Sequence, residues 1–468
     1  MNSKEFRKNG HDFVDWMADY LEGIENYPVK PDIEPGDIYK QLPLTAPEQA
    51  ESMEDIFKDF KDIILPGMTH WQSPSFHAYF PGNNSKPSIL AEMLTATMGA
   101  QCMVWATSPA ATELEDMLME WLRKMVGLND KWTGSIQNGA SDSTLNAILT
   151  AREKESGFST NDTGLANNDY RIYASEQIHS SIDKAIAIAG IGKNNLVKIP
   201  VNEAFALRAD ELENAIKKDV ANGKKPLMII AALGTTGSTA IDPLSDIVKI
   251  AKTYNLWVHV DAALGGTALI LENMRWLAKG LEDADSFVFN PHKWMFTNFD
   301  ASAYFVKDKQ SLINTFSVTP EYLRTKEDEQ VNNYRDWGVP LGRRFRALKL
   351  WFVIRNYGVE GLKEKIASHL KMAQWFKDQV DEAEDFEILA PVPLNTICFR
   401  KVSEDKSLDE LNLINEDLMH ALNKSGEVFL THVKLNGIYC LRMVIGQTEV
   451  EQRHVEKAWN LIKLTSGV

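Results

Sequence analysis

Apolar residues follow two rhythms along this chain, one of three to four residues and one of short continuous runs, and the switch between them marks out its parts. Phe13, Met17, Tyr20 and Ile24 share one helical face, with Val14 and Leu21 beside them, until Pro28, Pro31 and Pro35 interrupt the pattern. This reads as an amphipathic arm without a core of its own. A membrane-surface helix is the weaker alternative, because Asp12, Asp15, Asp19, Glu22 and Glu25 oppose anionic lipid. From about residue 51 to 128 the helical rhythm continues, and Ser108-Pro109 opens a stretch with Leu114, Met117, Leu118, Trp121, Leu122 and Met125 along one side.

From about 131 to 307 the two rhythms alternate. Pro226–Leu233, Leu256–Val260 and Phe287–Phe289 are β-prone and apolar enough for buried strands. Asp242-Pro243 supplies an N-cap and a first-turn proline, and Leu244, Ile247, Val248, Ala251 and Tyr254 follow at helical spacing. Strand, helix, strand in that order predicts parallel pairing. Arg171–Ser175 reads as a further strand, before the helix-like Ile182, Ala185, Ile186 and Ala189. A helix ending near Asn356-Tyr-Gly358 precedes a tail with strands at Thr396–Phe399, Glu427–Thr431 and Tyr439–Val444, and helices over about 408–423 and 450–464. The expected organisation is α/β: an N-terminal helical segment over 1–130, a large α/β domain over 131–358 and a small α+β domain over 359–468.

Candidate chemistry sits at the ends of the apolar runs. Pro291 stops the ladder after Phe289, so Lys293 falls where open α/β sheets place ligands, and a desolvated amine there is a nucleophile toward carbonyls. The plain alternative is a lysine that snorkels from a loop. Asp261 closes the Leu256 run and could equally be a turn or capping aspartate. Gly234-Thr235-Thr236-Gly237 reads as a tight turn. Gly139-Ala140-Ser141 opens a helix whose amides and hydroxyl suit a phosphate, or is simply a capped start. His179 precedes a helix, a place where most histidines are structural.

Taken in order, Asn290-Pro-His-Lys-Trp294 with Asn298-Phe-Asp300, His259-Val-Asp-Ala-Ala263, Leu233-Gly-Thr-Thr236, Gln177-Ile-His-Ser-Ser181, Pro66-Gly-Met-Thr-His-Trp71 and Val339-Pro-Leu-Gly-Arg-Arg-Phe-Arg346 resemble the pyridoxal-phosphate-dependent group II amino-acid decarboxylases, and within them the aromatic-L-amino-acid decarboxylases. The resemblance runs nearly end to end. It implies the aspartate-aminotransferase-like fold of type I, a homodimer with active sites at the subunit interface in which the N-terminal arm packs on the second subunit, and pyridoxal 5′-phosphate as cofactor. Lys293 would hold the cofactor as a Schiff base, and Asp261 would face the ring nitrogen and keep it protonated. Ala140 and Ser141 would bind the phosphate, with Asn290 and His292 as further donors. His179 would stack over the ring, Ala263 would leave room beneath it, and Thr235 would lie near its phenolic oxygen. The stretch Thr319-Pro-Glu-Tyr322-Leu-Arg matches the family's mobile catalytic loop, with Tyr322 as proton donor to the α-carbon, and the polar residues 325–333 after it are expected to close on substrate.

The same resemblance places a side-chain pocket at Trp71, Tyr79, Phe80, Pro81, Gly82, Gln101, Met103 and Gly342. An aromatic lining suits a flat ring, though some of these residues pack the core. Gly342 goes with indole acceptance, and Gly82 replaces a hydroxyl residue that animal relatives use near a catechol. Tryptophan or a broad aromatic range is therefore expected ahead of DOPA. Related aldehyde synthases replace Tyr322 or His179, and both are present here. A glutamate or cysteine-sulfinate decarboxylase would need a pocket cation that no residue obviously supplies, and a catalytically silent binding protein would have no need of the full set.

Composition adds exclusions. With 468 residues, 44% of them hydrophobic, the chain can bury a large core. A net charge of −15 disfavours nucleic acid, and the basic cluster Arg343, Arg344, Arg346 and Lys349 is better explained by contacts within the protein. Cys102, Cys398 and Cys440 are scattered, which argues against a disulfide framework and offers no metal-site spacing. No run is long enough to span a bilayer and the N-terminus is polar, so a cytoplasmic enzyme acting on a small amino acid is expected.

Overall fold

The computed structural model describes residues 1–165, 169–318 and 330–467. Two compact units emerge from its contacts: residues 1–81, 378–389 and 398–468 form one, and residues 82–377 with 390–397 form the other.

The larger unit is built on a sheet of β1 (Thr133–Gln137), β2 (Tyr170–Ser175), β3 (Leu196–Ile199), β4 (Lys225–Ala232), β5 (Trp257–Asp261), β6 (Ser286–Phe289) and β7 (Ser302–Val306), in the order β1-β7-β6-β5-β4-β2-β3. β7 is antiparallel to both neighbours, while the pairs from β6 to β3 are parallel. β1 therefore runs with the other five, and six carboxyl ends share one edge. Connections between parallel strands need crossovers, and the helices Ala140–Glu155, Ser181–Ile188, Ala209–Ala221 and Leu244–Tyr254 lie between the strands in sequence. Ala147, Ile148, Ile182 and Ile186 pack with Ile172, Met228, Ile230 and Val288 in one buried cluster. The helix Pro109–Met125 buries Leu118, Leu122 and Met125 and contacts β1, which is why residues 82–130 group with the sheet.

The helix expected to end near Gly358 does break there, and a second helix follows directly. Gly358 takes φ 68° and ψ 166°, a break that glycine tolerates without Cβ strain, and helical backbone resumes to Asp381.

In the smaller unit a second sheet has the order β10-β11-β9-β8, made of β8 (Phe386–Ile388), β9 (Thr396–Lys401), β10 (Thr431–Leu435) and β11 (Ile438–Val444). The strand expected at Glu427–Thr431 is displaced to β10. Leu430 is held by the Asn423 side chain through both its N–H (2.8 Å) and its carbonyl (3.0 Å), and Phe429 makes only an isolated bridge to Phe76, so these backbone groups are taken before a ladder can form. Residues 1–81 join this unit through Val29 N–H to Gly426 O (2.7 Å), His77 N–H to Phe429 O (2.9 Å) and the Arg453–Glu25 ion pair (2.6 Å). The first helix, Ser3–Glu22, buries no residue; Phe13 and Trp16 make ring contacts with Phe57 and Phe60.

Candidate active site

Parallel register sets Ala232 opposite Asp261 and Asp261 opposite Val288, so the segments that follow β4, β5 and β6 leave the sheet side by side. Asp261 ends β5, and its Oδ1 accepts from the Ala263 amide at 3.1 Å, which holds the carboxylate over the turn. The Asn290 amide donates to Ala263 O at 3.0 Å and ties the next segment to this one. Lys293 follows on the short helix Pro291–Trp294. Its amide donates to Asn290 O (2.9 Å), and its carbonyl accepts from Asn83 Nδ2 (2.7 Å). Beside it, the fully buried Trp294 donates its indole N–H to His369 Nδ1 at 2.9 Å. Thus the backbone of Lys293 is pinned before and after the residue.

The electrostatics of His179 agree with this placement. Its pKa is lowered chiefly by desolvation; the Asp261 carboxylate opposes the shift and Lys293 adds to it. A ring that senses both charges lies within Coulombic reach of each. His179 Nδ1 accepts from the Ser181 amide at 3.1 Å, so the neutral ring carries its proton on Nε2. Buried His292 has its pKa pushed down to about 3 by desolvation, with Lys293 contributing. Its Nδ1 accepts from the Ala301 amide at 2.9 Å, leaving Nε2–H as the donor. Asn290 is also buried, and its Oδ1 accepts from the Ser302 hydroxyl, so its NH2 is the group left to donate elsewhere.

Ala140 and Ser141 open the helix Ala140–Glu155 at the end of β1. Gly139 at the N-cap has no side chain to offer, and the first-turn amides carry no side-chain cap. Thr235, after β4, is buried with its hydroxyl accepting from the Ala240 amide at 3.0 Å, which spends one lone pair on the turn itself. An amine, a carboxylate, small Ala263 and uncapped helix-start amides on one sheet edge make a donor set that fits an aldehyde, a basic ring nitrogen and a phosphate.

The pocket residues divide differently. Gly82, Gln101, Met103 and Gly342 belong to the larger unit, Trp71, Tyr79, Phe80 and Pro81 to the smaller one. Residues 101–103 are laced to 335–343: Gln101 Oε1 accepts from the Arg343 amide (2.7 Å), the Cys102 amide donates to Arg343 O (2.9 Å), and the Arg335 amide donates to Met103 O (2.9 Å). A Cβ on Gly342 would lie 3.3 Å from Gln101 Nε2. In the smaller unit Trp71 stacks on Tyr79 (5.8 Å between centroids), and Arg442 lies 4.7 Å over the Phe80 ring while donating to Tyr79 O at 2.7 Å. Tyr322 lies outside the described residues, as does most of the 325–333 segment.

The basic cluster is neutralised within the chain: Arg343 pairs with Glu115 (2.7 Å), Arg346 with Asp300 (3.0 Å), Arg344 with Asp300 (3.2 Å) and Glu92, and Lys349 with Glu92 (3.2 Å). Sequence reasoning assigned no role to Asn83, His369 or Asn138. Lys293, Trp294 and Arg346, the partners of Asn83, His369 and Asn138, lie far from them along the chain, and no local pattern announces these contacts. Among the described residues no group of His, Cys, Asp and Glu could hold a metal ion, and no helix is long and apolar enough to cross a membrane.

Comparison with known proteins agrees with this geometry. The pyridoxal-dependent decarboxylase conserved domain matches residues 35–402. Tyrosine decarboxylase of Papaver somniferum is 40% identical over 99% of this chain and 94% of its own length. Phenylacetaldehyde synthase of Arabidopsis thaliana is 41% identical over 99% of this chain and 96% of its own. Among solved structures, Oryza sativa TDC with PLP and tryptamine superposes with a TM-score of 0.96 at 33% identity, covering 100% of this chain and 98% of that one.

Proposed function

Because the chain belongs to the pyridoxal-dependent decarboxylases, and among them to the aromatic amino acid group, we propose that it decarboxylates tryptophan, or a broad range of aromatic L-amino acids, in preference to DOPA, releasing the arylalkylamine and CO2. The family's cofactor is pyridoxal 5′-phosphate, and its enzymes are carboxy-lyases. The observation that carries the catalytic reading is the 3.0 Å bond from the Asn290 amide to Ala263 O, which ties the turn after Asp261 to the segment that carries Lys293.

In this reading Lys293 is the residue that would hold the cofactor, through its amine at the aldehyde carbon. Asp261 holds a proton on the ring nitrogen by charge attraction, which its bond to the Ala263 amide prevents it from swinging away from. The Ala140 and Ser141 amides and the Ser141 hydroxyl take the phosphate, with the Asn290 NH2 and His292 Nε2–H as further donors. Ala263 would leave space below the ring, His179 would cover its face, and Thr235 would lie toward its phenolic oxygen. The bound cofactor supplies an electron-withdrawing ring that stabilises the charge left when the carboxylate departs. Tyr322 donates the proton that the α-carbon then needs. Orientation of the breaking bond and exclusion of water are the remaining tasks, and they fall to Trp71, Tyr79, Phe80, Pro81, Gly82, Gln101, Met103 and Gly342.

Gly342 supports the substrate reading, since a side chain there would press against Gln101 Nε2, its Cβ only 3.3 Å away, and glycine spares the pocket that bulk. The enzyme further works as a homodimer in the cytoplasm on this reading, a placement supported by three cysteines that form no disulfide. Steady-state kinetics across tryptophan, tyrosine, phenylalanine and DOPA, with CO2, amine and hydrogen peroxide quantified separately, is the test. The expected result is amine and CO2 in equal amounts with tryptophan at or near the top. A clear DOPA preference would overturn the substrate assignment, and peroxide with aldehyde as main products would reassign the enzyme to the aldehyde synthases.

A further inference from the structure

The Arg346 side chain sits at the start of a chain of polar contacts that ends on the turn ahead of the helix Ala140–Glu155. It is buried, and it pairs with the equally buried Asp300 through Nε at 3.2 Å and Nη2 at 3.0 Å. Burial raises the Asp300 pKa, but the Arg346 hydrogen bond and charge outweigh it and leave the carboxyl below its ordinary value. The same Nη2 donates to Asn138 Oδ1. Asn138 in turn donates through Nδ2 to Asp142 Oδ2. Asn138 lies just before Gly139 and Asp142 in the first helical turn, so this one hydrogen bond brackets the backbone of Gly139, Ala140 and Ser141. Gly139 provides no cap, and no other side chain caps that turn. Asp300 also precedes Ala301, whose amide sets the His292 tautomer.

We propose that Arg346 and Asn138 are positioning residues for cofactor phosphate: together they staple the uncapped turn so that the Ala140 and Ser141 amides stay aimed outward. This rests on the assignment of those two residues to the phosphate. Without the staple, Asn138 is free to rotate away, and the extended glycine at the N-cap is held only from the helix side, by the Ser143 amide and hydroxyl on its carbonyl. Arg346 itself needs no contact with the phosphate, because its charge is already balanced by Asp300. The interaction is local to the phosphate end, so the ring end of the site, at Asp261, keeps its own supports.

A split between two cofactor forms separates positioning from general damage. The full-length chain, stripped of cofactor, is titrated with pyridoxal 5′-phosphate and with pyridoxal, which lacks the phosphate, for wild type, Asn138→Ala, Arg346→Lys and Ser141→Ala. Asn138→Ala leaves the Arg346–Asp300 pair intact, so it remains informative where Arg346→Lys folds poorly. The expected result is about a tenfold loss of affinity for the phosphorylated form in Asn138→Ala and at least as much in Arg346→Lys, with pyridoxal binding unchanged. Equal losses for both forms, or no loss for either, would overturn the staple. Ser141→Ala tells the two levels apart: if it fails to weaken the phosphorylated form selectively, the phosphate assignment itself is wrong; if it does weaken it while Asn138→Ala does not, only the staple falls.

Discussion

The residues proposed for the cofactor and those proposed for the substrate side chain are held in contrasting ways. The cofactor set comes from strand ends of one sheet in one compact unit, and its members are tied to their neighbours: Asp261 to Ala263, Asn290 to Ser302, His292 to Ala301, Lys293 to Asn83. The substrate set includes more exposed aromatic side chains, with Tyr79 52% exposed and Trp71 39% exposed. Rigid first contacts suit chemistry that is the same for every family member. More exposed ones suit a property that relatives vary, and relatives of 40% and 41% identity are named for tyrosine decarboxylation and for phenylacetaldehyde synthesis.

The contrast predicts that damage on the cofactor side is catastrophic and damage on the substrate side graded. Asp261→Asn keeps the shape but removes the charge, and kcat should fall by about a thousandfold or more, since a preorganised charge commonly contributes several kcal/mol. Single-turnover decay of bound substrate would measure it, and a loss under tenfold would show that another group protonates the ring.

Acid separates the two units next. His259 and His292 are held near pKa 3 by burial, with Lys293 adding at His292; His369 is also pushed to about 3 by burial, and His77 in the smaller unit to about 4. All four stay neutral when folded and bind protons when unfolded, near pKa 6.5, so stability is fully present above about pH 6.5 and is lost as pH falls toward 3 or 4. Asp242, raised to about 6 by burial, binds its proton when folded and offsets about one histidine below that pH. Urea unfolding at pH 7, 6 and 5 should therefore show falling stability with net uptake of roughly two to three protons, the larger unit contributing most. A stability that is flat between pH 7 and 5 would contradict these environments.

His369→Leu leaves the buried Trp294 indole N–H unpaired behind Lys293 and should cost about 1–3 kcal/mol in denaturant unfolding. An unchanged midpoint would mean that the tryptophan finds another acceptor. The smallest effect is expected in the pocket. Gly342→Ser puts a Cβ 3.3 Å from Gln101 Nε2, and the Gln101 carboxamide cannot retreat freely because its oxygen holds the Arg343 amide. The ratio of kcat/KM for tryptophan over tyrosine should drop about tenfold, and a ratio that stays put would detach Gly342 from ring selection.

The strands β4, β5 and β6, whose ends carry proposed cofactor residues, were legible as continuous apolar runs bounded by breakers. β1 was not: Thr133-Gly-Ser-Ile-Gln has one strongly apolar side chain, and it becomes a strand because β7 pairs with all five of its residues. β10 was placed too early because Glu427–Thr431 looks β-prone, whereas the Asn436-Gly437 turn, with positive φ at both residues, marks the real hairpin to β11. The partners of Lys293 and Trp294 were illegible for a different reason. Asn83 and His369 act through hydrogen bonds across 210 and 75 residues of chain, and periodicity carries no trace of such contacts.

The direct test of the central claim is to reduce the cofactor-loaded enzyme with borohydride, digest it and locate the cofactor by peptide mass spectrometry. The account predicts the label on Lys293 in the wild type and its absence in Lys293→Ala, which should also lack turnover; a label on any other lysine, or wild-type activity in that variant, would contradict it.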